Sequence, residues 1–180
     1  MQLQGDSTFH DVQARVDMAP DRQSSAHDRH QIIESTMART GIDEPMIERL
    51  VRAFYERARR DPLIGPIFEN RVHDWEGHIK RLCAFWSSVT LMSGRYHGQP
   101  MVAHLPLPVD TPEFNRWLEI SAQTAESICP PQAASLFLER AHRIADSLEM
   151  AIASQKGEIR GKPTRPEQTM PKFWEITPTP

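Results

Sequence analysis

The sequence predicts an all-α protein with one hydrophobic core, and three observations support this. Apolar residues recur at spacings of three and four over most of residues 41–153, as they do on the buried face of a helix. Prolines (15) outnumber glycines (8), and several of them separate these stretches. No stretch of useful length shows the alternation of a β-strand. A chain of 180 residues is long enough for one globular domain with tails.

The first clear helix is predicted to follow Asp43, whose side chain can cap it, with Pro45 tolerated in the first turn. Its apolar face consists of Met46, Ile47, Leu50, Val51, Phe54 and Ala58. Pro62 disfavours helical geometry at Asp61, so we expect the helix to end there. Residues 62–72 contain two prolines and a glycine and are predicted to form an irregular corner.

Asp74 is predicted to cap a second helix, which should end at Gly94. Its inward residues are Trp75, His78, Leu82, Phe85 and Val89, flanked by Ile79, Cys83 and Trp86. A long connection follows over residues 94–110, with room for one short helical turn before Pro106. We therefore expect the chain between the second and third helices to be mostly non-helical.

Thr111, followed by a proline and a glutamate, is predicted to start a third helix, which Pro130 and Pro131 should break. Its inward residues are Phe114, Trp117, Leu118, Ser121, Ala125 and Ile128. A last helix is predicted from about residue 132 to residue 153. Its apolar face consists of Phe137, Ala141, Ile144, Ala145, Leu148 and Ile152.

The two ends of the chain lack such patterns. Residues 1–40 are polar with few apolar anchors, so we expect a mostly flexible extension with one helical turn around Gln31–Met37. Residues 156–180 are proline-rich and aperiodic and are predicted to form a flexible tail. The folded domain is therefore predicted to span residues 41–155.

Composition excludes several classes of function. A net charge of −3 provides no electrostatic basis for binding nucleic acid. No apolar run approaches the length of a membrane span, and the N-terminus has no apolar core of a secretory signal. The two cysteines, Cys83 and Cys129, form no C-x-x-C motif, which argues against a zinc site or covalently attached haem. We expect a cytoplasmic protein.

Four residues stand out as candidates for chemistry. Tyr55, His78 and Trp117 bring hydrogen-bond donors to inward positions on three different helices, and buried donors need partners. Each alone is more typical of an ordinary core residue, but together they suggest one polar spot in an apolar pocket. His104 lies on a proline-stiffened segment that faces the core, where it could act as a metal ligand. No second ligand at zinc spacing accompanies it.

The chain resembles the group III truncated haemoglobins, in order and spacing, over roughly residues 41–153. The matching segments are Phe54–Tyr55, GPIF at 65–68, WEGH at 75–78, FW at 85–86, GRYHGQPMVAHLPLP at 94–108 and RW at 116–117. Each short segment means little by itself, but the set is specific. The resemblance implies a truncated globin fold, a two-over-two helical sandwich around one non-covalent haem b.

The resemblance also implies roles for individual residues. His104 corresponds to the proximal histidine that binds haem iron, with its second ring nitrogen bonded to a carbonyl. The distal set around the bound gas corresponds to Tyr55, His78 and Trp117. The remaining cofactor-binding candidates are Phe68, which packs on the haem face, Phe85, and, for the haem propionates, Arg81 with Arg95 and Tyr96 as weaker choices.

The implied function is the binding of O2, NO, CO or peroxide at a polar distal site. Redox chemistry on these ligands, of a nitric oxide dioxygenase or peroxidase type, would need a separate reductase, because the chain has no flavin or nicotinamide motif. The sequence does not choose among these reactions. Two alternatives stay open: a cofactor-free helical interaction module, and a haem-based gas or redox sensor that signals through its tails.

Overall fold

The computed structural model describes residues 22–158, and within this range the chain is helical without a β-strand. The all-α prediction is confirmed for these residues. The helices, in chain order, are α1 (Arg22–Thr40), α2 (Glu44–Ala58), α3 (Gly65–Glu69), α4 (Trp75–Leu91), α5 (Pro100–His104), α6 (Thr111–Ile128) and α7 (Pro131–Gln155).

Helix α2 begins where its local signals predict. The Asp43 backbone is extended, and its Oδ1 accepts a hydrogen bond from the Met46 N–H at 2.7 Å. This bond satisfies one of the N–H groups that have no partner inside a helix. The apolar face of α2 is buried, and Tyr55 lies on that face. The phenol ring is therefore part of the core.

The corner after α2 contains the short helix α3, where the sequence analysis predicted irregular structure. The buried Asp61 organises this corner, because its Oδ1 accepts hydrogen bonds from the N–H groups of Leu63 and Ile64 at 3.0 and 3.1 Å. A Cβ atom at Gly65 would lie 2.6 Å from the backbone oxygen of Arg59. The close approach of the two backbone segments therefore requires glycine.

Helix α4 starts after Asp74, whose Oδ1 accepts a hydrogen bond from the Gly77 N–H at 2.9 Å. The predicted end of this helix at Gly94 was wrong by three residues. The helix ends at Leu91 because Met92 adopts the left-handed conformation, with φ of 59°. The Met92 side chain is exposed, and Gly94, with φ of 69°, bends the loop that follows.

The remaining helices begin and end close to where the sequence predicts. Helix α5 is the short turn expected before Pro106. Asp110 and Glu113 form a capping box at the start of α6. Pro130 and Pro131 separate α6 from α7, since Pro131 occupies the first turn of α7, where no N–H is needed.

Helix α1 corrects the prediction of a single turn around residues 31–37. It has 19 residues and contacts α4 and α7. Thr36 and Thr40 are buried, and Ile33 packs against the core. The predicted flexible extension and tail fall partly on residues 1–21 and 159–180, which lie outside the described range.

The helices form the expected two-over-two sandwich. Helix α2 packs against α4, α6 packs against α7, and α2 also contacts α6. The buried apolar residues form two clusters, and Trp86 and Trp117 contact both of them. Among residues 22–158, no helix combines the length and apolar character that crossing a membrane requires.

Candidate functional site

A largely apolar cavity of about 380 Å³ lies between the two layers of the sandwich. Residues from α2 to α7 contribute to its wall. Most of them are the inward residues of the predicted helix faces, including Leu50, Leu82, Phe85, Trp86, Phe114, Phe137 and Ile144. Such a cavity with a few polar side chains is typical of a site for a small organic ligand or cofactor.

His104 is the last residue of α5, and its half-buried side chain lines the cavity. Its Nδ1 lies 2.6 Å from the backbone oxygen of Pro100, one helical turn earlier. A carbonyl oxygen can only accept, so Nδ1 carries the proton. The neutral ring then has its lone pair on Nε2, which is the nitrogen available to a metal.

No protein cage for a metal ion accompanies this histidine. Within the described part of the chain, no three histidine, cysteine, aspartate or glutamate side chains come together at metal-binding distance. A metal bound by His104 would therefore have to bring its other ligands with it, as iron does in a porphyrin.

Tyr55 and His78 form a direct hydrogen bond in the same cavity. The Tyr55 hydroxyl and the His78 Nε2 are 3.0 Å apart, although the residues come from α2 and α4. Their ring centroids are 5.1 Å apart and nearly perpendicular. Trp117, from α6, also lines the cavity. Its ring packs on that of Phe54, with ring centroids 6.1 Å apart. The structure thus brings all three predicted distal residues to one cavity.

Burial keeps both members of this pair uncharged near neutral pH. It raises the pKa of the Tyr55 hydroxyl far above its ordinary value. For His78, burial lowers the pKa, and the positive charge of Arg81 lowers it further. At this contact Tyr55 offers its O–H, and the His78 Nε2 carries either a proton or a lone pair, depending on the tautomer. The pair can therefore donate a hydrogen bond to a ligand or accept a proton from it.

Three other predicted residues form the apolar wall. Phe68, on α3, packs on Tyr55 with ring centroids 5.3 Å apart. Phe85 and Tyr96 pack on each other with ring centroids 5.2 Å apart, and both line the cavity. The Tyr96 N–H donates to the Ser88 hydroxyl at 2.9 Å, which fixes the loop after α4.

The two predicted arginines differ in position. Arg81 lines the cavity with an exposed side chain. Arg95 does not line it, and its Nη1 pairs with Glu44 Oε2 at 2.5 Å. The same Glu44 accepts a hydrogen bond from the buried Ser87 hydroxyl at 2.6 Å. This placement does not support a role for Arg95 in binding a cofactor.

The sequence does not indicate which side chains support the ligand site from outside the cavity. It predicts Trp75 only as an inward residue of the second helix and assigns no role to Arg59. In the structure the Trp75 ring contacts both Tyr55 and His78. Its spacing of three residues from His78, on one helical face, was the signal that could have indicated this.

The comparisons with known proteins agree on the family. Residues 39–152 match the family described as bacterial-like globin. The chain is 32% identical to the group 3 truncated haemoglobin ctb of Campylobacter jejuni over 121 residues, which are 64% of this chain and 95% of the relative. It is 30% identical to the group 2 truncated haemoglobin YjbI of Bacillus subtilis over 79 residues, 43% of this chain and 60% of the relative.

The solved structures show the same relationship. The crystal structure of group III truncated haemoglobin from Campylobacter jejuni matches with a TM-score of 0.58 and 31% identity, over 62% of this chain and 91% of that chain. The cavity fits haem: it is apolar, it has one imidazole with a free Nε2, and the cationic Arg81 lies at its wall. The chain therefore belongs to the group III truncated haemoglobins, and its cofactor is non-covalent haem b.

Proposed function

We propose that Tyr55, His78 and Trp117 form the ligand site of this haem protein and that O2 is the first ligand to test. As a globin, the protein binds haem and small ligands. When bound, haem supplies an iron centre that coordinates small ligands and can exchange electrons with them. The observation that carries the proposal is the 3.0 Å bond between Tyr55 and His78 inside the cavity that also contains His104.

His104 holds the cofactor from one side of the cavity. The bond from its Nδ1 to the Pro100 oxygen fixes the ring and makes Nε2 the ligand atom. His104→Gly should load haem poorly, and added imidazole should restore part of the absorption spectrum. If His104→Gly binds haem with the wild-type spectrum in both oxidation states, another group holds the iron.

Tyr55 is the proposed hydrogen-bond donor to a polar ligand. If the His78 Nε2 carries a proton, it can donate to the Tyr55 oxygen, and the Tyr55 O–H is then free to point into the cavity. A hydrogen bond to a partner with charge is worth roughly 1.5–3 kcal/mol. The dissociation rate of O2 from Tyr55→Phe should therefore rise about 10- to 100-fold.

The matched control removes a buried hydroxyl outside the cavity. Thr90, on α4, donates to the Trp86 backbone oxygen at 2.7 Å and does not line the cavity. Thr90→Val should change the O2 dissociation rate less than twofold. An unchanged rate in Tyr55→Phe, or equal changes in the two variants, would show that Tyr55 is not the donor.

His78 favours a second activity, acid–base chemistry on peroxide. In the other tautomer, which has the lone pair on Nε2, this ring with a lowered pKa can accept a proton from a peroxide in the cavity and return it. A separate reductase or small reductant would supply the electrons. His78→Gln should then lose most of its peroxide turnover while it keeps the haem, and equal turnover would exclude this role.

The two cysteines are free thiols, which is in keeping with a protein that functions in a reducing cytoplasm.

A further inference from the structure

Trp75 packs against two residues of the ligand site. It is the first residue of α4, and its ring centroid is 5.7 Å from that of Tyr55 and 6.0 Å from that of His78. The rings meet edge to face, at 63° and 84°. Trp75 does not line the cavity, although both of its neighbours do. It therefore contacts the hydrogen-bonded pair without being able to touch a ligand in the cavity.

The Trp75 ring is itself held in place. The guanidinium carbon of Arg59 lies 4.1 Å from the ring centroid, which is cation–π geometry. The Arg59 Nε is 2.6 Å from Glu69 Oε1, so the cation is anchored to α3. Asp74 caps the helix directly before Trp75 and fixes the backbone there. The tryptophan is thus clamped between the ligand-site residues and an anchored cation.

This clamp restricts the movement of His78. Trp75 packs edge to face against the imidazole, so a swing of His78 toward that side requires the tryptophan to move. This inference rests on the function proposed above for Tyr55 and His78. We propose that Trp75, held by Arg59, is a positioning residue that keeps His78 hydrogen-bonded to Tyr55. By holding His78 in place, it also slows the entry of ligands past His78.

The test measures CO association after flash photolysis of the ferrous haem protein, together with the infrared C–O stretching bands. Trp75→Ala should raise the association rate about 10-fold and add a second C–O band, since a large packed ring is lost. Trp75→Phe, which retains a ring, should stay within about threefold of wild type. Arg59→Met should raise the rate about two- to threefold, because it loosens an exposed cation–π contact.

Arg52→Met is the matched control. Arg52, on α2, is as exposed as Arg59, which directly follows that helix, and it pairs with Glu76, the neighbour of Trp75, at 2.9 Å. The Arg52→Met variant should keep the CO association rate and the C–O band pattern of wild type. If Arg52→Met has the same effect as Arg59→Met, general loosening between α2 and α4 explains the result and the proposal is overturned.

A double mutant tests whether Trp75 acts through His78. In a His78→Leu background, Trp75→Ala should produce less than a twofold further change, since the residue it positions is absent. A full 10-fold change in that background, or no change from Trp75→Ala in wild type, contradicts the proposal. Should Trp75→Ala fail to fold, Arg59→Met decides, because it alters only an exposed side chain.

The outcome also separates this inference from the proposed function. If Tyr55→Phe changes O2 dissociation while Trp75→Ala and Arg59→Met change nothing, only the clamp is wrong. If Tyr55→Phe has no effect, the ligand site itself is wrongly assigned.

Discussion

Replacing Asp61 with asparagine should destabilise the protein by about 2 kcal/mol. The Asp61 side chain is only 3% exposed, and its Oδ2 accepts a hydrogen bond from the Arg116 Nε at 2.7 Å. Its Oδ1 accepts from two backbone N–H groups of the corner, at 3.0 and 3.1 Å. Asparagine keeps one acceptor oxygen, but its amide N–H₂ would face the guanidinium, so the charge-assisted bond is lost.

The magnitude follows from the burial of the two partners. Hydrogen bonds to charged groups contribute roughly 1.5–3 kcal/mol, and a broken buried ion pair costs more, about 3–5 kcal/mol. The Arg116 side chain is 36% exposed, so water can hydrate the cation that remains. This places the expected loss toward the lower end of these values.

Urea unfolding of the haem-loaded protein, at equal protein and haem concentrations, measures the change. Glu119→Gln is the matched control, because Glu119 also pairs with Arg116, at 2.6 Å, but is 49% exposed. We expect Glu119→Gln to cost less than about 1 kcal/mol. If both variants unfold at the same urea concentration, burial of the Asp61 carboxylate does not stabilise the corner as argued.

The pH dependence provides an independent check. Burial raises the pKa of Asp61, but the hydrogen bonds from Arg116 and the backbone outweigh it, so the folded pKa lies below the ordinary 3.8. A lowered carboxyl pKa contributes stability that is complete above the unfolded value and is lost as pH falls through the folded value. The difference between wild type and Asp61→Asn should therefore be constant above about pH 5 and shrink below pH 4.

Three further predictions concern other contacts. Glu44→Gln, which removes the ion pair that holds the loop after α4, should speed haem loss to an acceptor globin about 2- to 5-fold. Glu76→Gln should not, and equal rates would contradict the role of that ion pair. Gly65→Ala should cost about 1–3 kcal/mol in urea unfolding, because the new Cβ meets a backbone oxygen; wild-type stability would refute the steric argument. Burial raises the pKa of Cys129 to about 11. At pH 8 only ~0.1% of Cys129 is thiolate. Burial raises the pKa of Cys83 as well, but Cys83 is more exposed, so iodoacetamide should modify it first, and faster labelling of Cys129 would contradict this.

The sequence alone determined where most helices begin. Asp43, Asp74 and Pro131 act on the first turn that follows them, so the signal is local and survives in any tertiary context. The spacing of apolar residues then determined which faces are buried. The family resemblance, carried by short segments around Tyr55 and His104, indicated the cofactor.

Only the tertiary structure decided which side chains meet. Tyr55 and His78 are 23 residues apart, and their hydrogen bond exists because α2 packs on α4. The same packing gives Arg95 a carboxylate partner away from the cavity. Helix α1 has a polar, weakly patterned sequence, so local propensity did not predict a helix of this length. In the folded structure it contacts α4 and α7. Local signals act through the backbone of one segment, whereas these outcomes depend on distances between segments that the chain reaches only when it is folded.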